Sequence, residues 1–248
     1  MLGRQHTMKI EDVTNFGKGL IELSSDPIFI KIRKQMMTPV LKMLFRELGV
    51  FKMIKMEWRA NQEKKSINKY DWSRIEKRGP KKEDLDFVIE DVANMKVLAR
   101  MLGNDQACLL FSKILNQTDE ILAAQKPARN VLAMPVDEFK SLDDPFTGFK
   151  EFIKASENEM VKEGTHAIEI IEDTNESLVY HVSYCIAHEV AGLFGDPIFG
   201  IPWCQIDDIA LPKVGSEIGF KYSRSGTLCL GSPKCDFRFE RVAPTPLN

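Results

Sequence analysis

Apolar residues recur at spacings of three and four from Asp26 to Met56, through Ile28, Ile32, Met36, Val40, Met43, Leu44 and Leu48. That period gathers them on one face of a helix. Asp26 followed by Pro27 supplies an N-cap and a first-turn proline, while Pro39 and Gly49 mark a kink and a stop, so the segment predicts two helices rather than one rod. A second stripe runs from Lys82 to Gln125, where Leu85, Val88, Ile89, Val92, Met95, Leu98, Ala99 and Leu102 lead up to Gly103 and Leu109, Leu110, Ile114, Ile121 and Leu122 continue beyond it. Pro127 and Pro135 bracket a connector, and Pro145 opens a short helix through Phe149, Phe152, Ile153 and Met160 that ends near Gly164.

The period then changes. Ala167 to Ile171 and Leu178 to Val182 are strand-like runs about the polar turn Asp173-Thr174-Asn175-Glu176, which predicts a hairpin. A helix from about Tyr184 to Leu193, a loop from Gly195 through Pro202, and strands at Ile218 to Tyr222 and Cys235 to Val242 complete the reading. The fold class predicted is α+β: a mainly helical part over residues 1–164 packed with a cysteine-rich part over 165–248 of antiparallel sheet and helices, a division also compatible with one continuous domain. The alternating βα units of a doubly wound sheet are missing.

Composition sharpens this picture only modestly. At 248 residues, 44% apolar and 28% charged, the chain has enough apolar surface for a core and lacks the bias of disorder. A formal net charge of -2 creates no field that demands nucleic acid or an anionic membrane. Lys52 to Lys82 is the local exception, with eleven Lys or Arg against four Asp or Glu and Trp58, Tyr70 and Trp72 between them. Such a stretch can bind phosphates and stack bases, or can be a solvated helical face with its aromatic rings turned inward, and the near-neutral total favours the second. No stretch approaches the roughly 18 apolar residues of a membrane span, and the N-terminus lacks an apolar signal core. Five cysteines without such a signal favour free thiols, thiolate ligands or a nucleophile in a reduced cytoplasm over a disulfide framework. The expected partner is a small-molecule substrate, with neither membrane nor nucleic acid, and a homo-oligomer is compatible with the chain.

Candidate chemistry concentrates between His181 and Arg238. Cys108 lies alone on the apolar helical block and reads as an inert thiol, whereas Cys185, Cys204, Cys229 and Cys235 fall close together. His181, Cys185 and Glu189 stand at successive i+4 spacings and would share a face if one helix carried all three. Cys204 has Asp207 and Asp208 close by, and Cys235, Phe237 and Phe239 alternate with Asp236 and Arg238 on a strand. A thiol beside a histidine near a helix start can act as a nucleophile. Cys185, Cys204 and Cys235 with a histidine or carboxylate could instead hold zinc or iron, although the spacings match no compact paired-cysteine motif. Ordinary packing is a third reading, and the residues alone leave all three open.

The order of these pieces is informative. The Cys185 segment, the Gly195-Asp196-Pro197 loop, Cys204-Gln205-Ile206-Asp207-Asp208, Arg224 and Thr227-Leu228, then Gly231 and Cys235-Asp236-Phe237-Arg238-Phe239, resembles the L-2-amino-thiazoline-4-carboxylic acid hydrolase family over about the last 70 residues. A more distant resemblance, in the closing glycine and cysteine and the two upstream cysteines, is to small-molecule-binding domains of the 4-vinyl-reductase type, which implies the alternative of a non-catalytic ligand or metal sensor. The first resemblance implies hydrolytic opening of a small cyclic amidine to an N-carbamoyl amino acid. It carries over Cys185, Cys204, Asp207, Arg224, Cys235 and Asp236, while His181 and Glu189 rest on spacing. The roles implied are Cys185 or Cys204 as nucleophile or ligand, His181 as base, Asp207 and Glu189 as partners of the amidinium or of the base, and Arg224 and Asp236 as substrate-binding groups, Arg224 on the substrate carboxylate.

Overall fold

A computed structural model describes residues 41–124, 132 and 134–242 of the chain. The cap at Asp26-Pro27, the stripe from Ile28 to Val40, the kink at Pro39, and Pro127 lie outside the described residues. A helical run over residues 41–48 leads through Gly49 into α1 (Val50–Lys65), followed by a short α2 (Ser73–Glu76), α3 (Lys82–Leu102) and α4 (Asn104–Ala123). Gly103, at φ 87°, makes the corner between α3 and α4 that the sequence pattern places there, in a backbone region open mainly to glycine. Next come α5 (Val136–Lys140), α6 (Pro145–Lys162), β1 (His166–Asp173), β2 (Ser177–Cys185), α7 (Ile186–Leu193), α8 (Ile201–Ile218), β3 (Phe220–Ser223) and β4 (Cys235–Arg241).

The four strands form one antiparallel sheet in the order β1-β2-β4-β3, so the fold is α+β as expected. One sheet face, with Leu178, Tyr180, Val182, Phe237 and Phe239, packs under α5, α6 and α8, whose Phe139, Phe149, Phe152, Leu211 and Val214 fill the main core. Phe149 stacks on Phe220 at 4.3 Å and Tyr180 on Phe237 at 4.8 Å, offset arrangements that add to simple burial. The helical part joins through α3. Its Val88, Ile89 and Val92 pack on Ile186, Val190 and Ala191 of α7, and its Met95 and Leu98 share a second cluster with Ile201 and Cys204 of α8.

Two expectations need correction. The helix expected from Tyr184 begins only at Ile186, because Tyr184 and Cys185 still pair with β1, so His181, Cys185 and Glu189 do not share a helical face. The stretch around Cys204 and Asp207, read without a helix, is the long α8. Pro202 in its first turn removes no needed donor, and Pro212 forfeits one internal bond. Burial of Ala210, Leu211 and Val214, each at most 2% exposed, outweighs that loss. The basic segment is also not uniform. Tyr70 packs on Phe194 at 5.1 Å and Trp72 donates its indole N–H to Ile67 O at 2.9 Å, but Trp58 is 62% exposed rather than turned inward.

Asp144 ties the start of α6 to the far end of the sheet. It accepts the Thr147 N–H at 3.1 Å as an N-cap and a two-pronged contact from Arg241 of β4 at 3.1 and 2.8 Å. The Arg241 hydrogen bond, helped by Thr147 and opposed by burial, pulls its carboxyl down to about 2. Asp144→Ala is expected to lower stability by about 1 kcal/mol, chiefly by loss of the cap, since the ion pair is partly exposed and screened. Asp144→Asn, which keeps a capping oxygen, should cost less. Because the folded pKa lies below the usual 3.8, the carboxylate's contribution is full above that value and fades as pH falls toward 2. Urea titrations at pH 7 and pH 2.5 should therefore show the Asp144→Ala penalty shrinking at the lower pH.

Candidate functional site

Where β2 runs into α7, a local irregularity decides which way Cys185 faces. Tyr180 and Val182 point to the core side, so strict alternation would turn Cys185 away. The β1–β2 pairing slips between Ala167 and Ile168, whose partners are Tyr184 and Val182, leaving Ser183 as the extra residue of a β-bulge. The bulge turns Tyr184 to the other side, where the Arg78 guanidinium lies 3.8 Å from its ring centre, and returns Cys185 to the core side, where it packs against both the main cluster, near Cys235, and the cluster shared by α3 and α7. In that register Cys185 stands directly opposite His166.

Cys185 also occupies the cap position of α7, where the amides of His188 and Ala187 favour a negative sulphur. Burial outweighs them and pushes the thiol up to about 11. Cys204, in the first turn of α8, hydrogen-bonds with the thiols of both Cys229 and Cys235, and Cys235 Sγ accepts the Leu228 N–H at 3.3 Å. The Cys229 bond together with burial raises the Cys204 thiol, and the Cys204 bond together with burial raises that of Cys235. All five cysteines are free, and the Cys108 thiol too is raised by burial.

One turn along α8 from Cys204, Asp207 receives Arg224 Nη1 at 3.2 Å. Arg224 Nη2 donates to the Cys204 carbonyl at 2.8 Å and lies 2.7 Å from Asp208, while the guanidinium carbon sits 5.2 Å from the Phe237 ring centre. The Arg224 side chain is 4% exposed, whereas that of Asp207 keeps 23% of its surface open. Burial pushes Asp207 up to about 7; Arg224 opposes this and Asp208 adds to it. Asp207 also feels His166, which in turn feels Glu157 of α6. Glu157 accepts the Tyr180 hydroxyl at 3.0 Å, and Tyr222 donates to Asp208 at 3.3 Å. Burial raises Glu157 and lowers His166.

The structure thus gathers Cys185, Cys204, Cys235, Asp207 and Arg224 at one end of the sheet's core side. His181, Glu189 and Asp236 stand elsewhere. His181 lies on the other sheet face between Glu169 and Asp236, with Lys234 Nζ 3.0 Å from its Nδ1. Glu189 pairs with Arg74 at 3.2 Å. Asp236 accepts the Ser225 and Gly226 amides at 2.9 and 2.8 Å and the Ser225 hydroxyl, which fixes the connector that carries Arg224. Among the described residues no group of three or more His, Cys, Asp or Glu is arranged to hold a metal ion. A surface cavity of about 330 Å³ lined by Trp58, Arg59, Gln62, Glu63, Val97 and Arg100 lies on α1 and α3, away from this cluster.

Sequence pattern does not single out Glu157, His166, Tyr180 or Tyr222. A signal for His166 does exist: Asp173 pairs with Leu178 across the turn, and counting back evenly from that pair sets residue 166 opposite 185. The irregularities near Ile171 and Ser183 cancel, so the even count holds at the far end.

Fold and site together define an α+β protein with a partly open carboxylate, a buried guanidinium and a thiol group gathered between a sheet and two helices. The chain belongs to the L-2-amino-thiazoline-4-carboxylic acid hydrolase family, whose model matches residues 89–239, more than half of the chain and all of the residues gathered here. The match reaches well upstream of the last 70 residues, into α3. No curated protein and no solved structure matches. Among the described residues no helix is long and apolar enough to cross a membrane.

Arg224 provides a test of this architecture. Arg224→Met removes the partner of Asp207 and Asp208 and the donor to the Cys204 carbonyl, and a buried charge left without its partner costs about 3–5 kcal/mol. Equilibrium unfolding in urea should show a loss near the lower end of that range, since Asp208 is half-exposed. A change within about 0.5 kcal/mol would mean that the network does not hold α8 in place.

Proposed function

We propose that the protein hydrolyses a small cyclic amidine of the 2-amino-thiazoline-4-carboxylate type, opening the ring to an N-carbamoyl amino acid, with Cys185 as nucleophile. The observation that carries this reading is the meeting of Cys185, at the start of α7, with the solvent-touched carboxyl of Asp207 on one side of the sheet. Membership of a family named for this hydrolysis supports it. Cys185 is favoured over Cys204 because it faces amide donors, while Cys204 is buried and bonded to two other thiols.

The chemistry balances with one water and no cofactor. Cys185 Sγ bonds to the amidine carbon as its proton leaves, and the bond from that carbon to the ring sulphur breaks, the sulphur taking up a proton. The enzyme then carries an S-linked isothiourea that still holds every substrate atom. Water adds to the same carbon, the bond to Cys185 Sγ breaks, and the N-carbamoyl product departs. For the 2-amino-thiazoline this product is N-carbamoyl-L-cysteine. Asp207 grips the amidinium: a cation beside it restores the charge that burial disfavours. Arg224, already committed to Asp207, Asp208 and the Cys204 carbonyl, acts as a positioning residue for Asp207 rather than as the sole anchor of the substrate carboxylate.

Cys185→Ala is expected to lower turnover of 2-amino-thiazoline-4-carboxylate by on the order of 10³-fold or more while leaving the thermal melt near that of the wild type. Acid-quenched intact protein should gain the full mass of the substrate, on the peptide containing Cys185. Undiminished turnover in Cys185→Ala would overturn the assignment, and an adduct on Cys204 would move the nucleophile there. The ionised form of Asp207 is the one that binds, so KM should rise as pH falls through about 7, and Asp207→Asn should abolish that rise.

A further inference from the structure

We propose that His166 is the proton-transfer group of this site, acting through Nε2 on Cys185, with Thr165 as the positioning residue that fixes its tautomer. The inference rests on the reading of Cys185 as nucleophile and adds a base that the sequence motifs do not contain. Geometry carries it in three steps. First, His166 and Cys185 are directly opposed partners of an antiparallel pair on the same side of the sheet, which brings Cβ atoms to roughly 4.5–5.5 Å of each other. No other histidine of the described residues is so placed: His181 is on the other sheet face, and His188 lies beside Glu189 at 3.5 Å.

Second, the proton on the ring can be located. Thr165 Oγ1 donates its only hydrogen to the Met160 carbonyl at 2.9 Å and lies 3.1 Å from His166 Nδ1. With its hydrogen spent, the hydroxyl can only accept from the ring, so Nδ1 carries the N–H and Nε2 keeps its lone pair. Third, the surroundings suit an imidazolium that forms only transiently. Glu157 of α6 and Asp207 of α8 both stabilise a positive ring, and Tyr180 of β2 holds Glu157 at 3.0 Å. The other charged or titratable groups around this end are Arg224, which pairs with both Asp207 and Asp208, Tyr222, which donates to Asp208, and the thiols of Cys204, Cys229 and Cys235. In the first half-reaction Nε2 takes the Cys185 proton as Sγ bonds to carbon and returns it to the departing ring sulphur. In the second it takes a proton from water and returns it to Cys185.

Alkylation of Cys185 by iodoacetamide, followed by mass spectrometry of the intact full-length chain and of its peptides, tests the inference without any assumption about substrate. In the wild type the rate should level off above the titration of His166 and fall as pH drops through it. His166→Gln should label at least about tenfold more slowly at neutral pH, and added imidazole should restore the rate in His166→Gly. Thr165→Val should slow labelling and Thr165→Ser should recover it. An unreactive Cys185 in the wild type, or a wild-type rate that climbs with pH as for an isolated thiol, would overturn the proposal even if every variant misfolded. Equal rates in wild type and His166→Gln would do so too. His166-dependent labelling without turnover of 2-amino-thiazoline-4-carboxylate would leave the base assigned and remove only the substrate.

Discussion

The buried guanidinium of Arg224 is the interaction on which the arrangement of the site depends. It is 4% exposed, and it spans three separate groups of α8: the carboxyls of Asp207 and Asp208 and the carbonyl of Cys204. Its own position is set from the other side, where Asp236 of β4 accepts the amides of Ser225 and Gly226 in the connector after β3. The helix bearing the acid is thereby fastened to the strand bearing Cys235 through a chain of charge-assisted bonds. Desolvating such a cluster is expensive, and hydrophobic packing of equal volume could stabilise the fold as well. What the ionic version adds is direction: it aims one carboxyl, partly wetted, at the end of the sheet where β2 stops.

A second constraint works on the sheet itself. Four strands with one covered face should present side chains to the core at every other position, and β2 does so from Leu178 through Val182. At Ser183 the alternation breaks. The cost is one disrupted rung near the sheet's end, and the result is that a cysteine destined for the opposite face is brought to the core side beside Cys235 and opposite His166. The change from strand to helix immediately after Cys185 then supplies amides to its sulphur. Arginine clasp and bulge are independent pieces of backbone logic, and the site exists where their products meet.

Much of the scaffold was legible in the chain. The stripes from Leu85 to Leu102 and on to Leu122, the corner at Gly103, the proline opening of α6 and the hairpin about Asp173 to Glu176 all declare themselves by period and turn chemistry. Helix α8 did not, because Pro202 and Pro212 break the local pattern and the burial that overrides them comes from residues distant in sequence. For the site, the motif order pointed to Cys185, Cys204, Asp207, Arg224, Cys235 and Asp236, of which the first five gather and Asp236 instead holds the connector at Ser225 and Gly226. Spacing misled where it presumed the wrong element: an i+4 interval means a shared face only on a helix, and His181 is on a strand. Bulges are the part least visible in sequence, since a single inserted residue leaves no change in composition and yet reverses every side chain beyond it.

The high proton affinity of the thiols bears on how such a site would operate. Cys185 near 11, with Cys204 and Cys235 also raised, describes a resting state of neutral thiols rather than a stored thiolate–imidazolium pair. Burial lowers His166 in the same sense, against the pull of Glu157 and Asp207, and so favours an uncharged ring beside an uncharged thiol. On the proposed mechanism, charge separation is deferred to the bond-forming step, when the carboxyls of Glu157 and Asp207 would favour the ring that gains a proton and the amides at the start of α7 the sulphur that loses one. Interactions that strengthen only as charge develops lower the barrier without tightening the ground state. A cationic amidine would add to this effect, because its positive charge beside Asp207 stabilises the ionised carboxyl and with it the imidazolium. Binding of the substrate and activation of the nucleophile would thus be coupled through a single aspartate, the one that Arg224 holds.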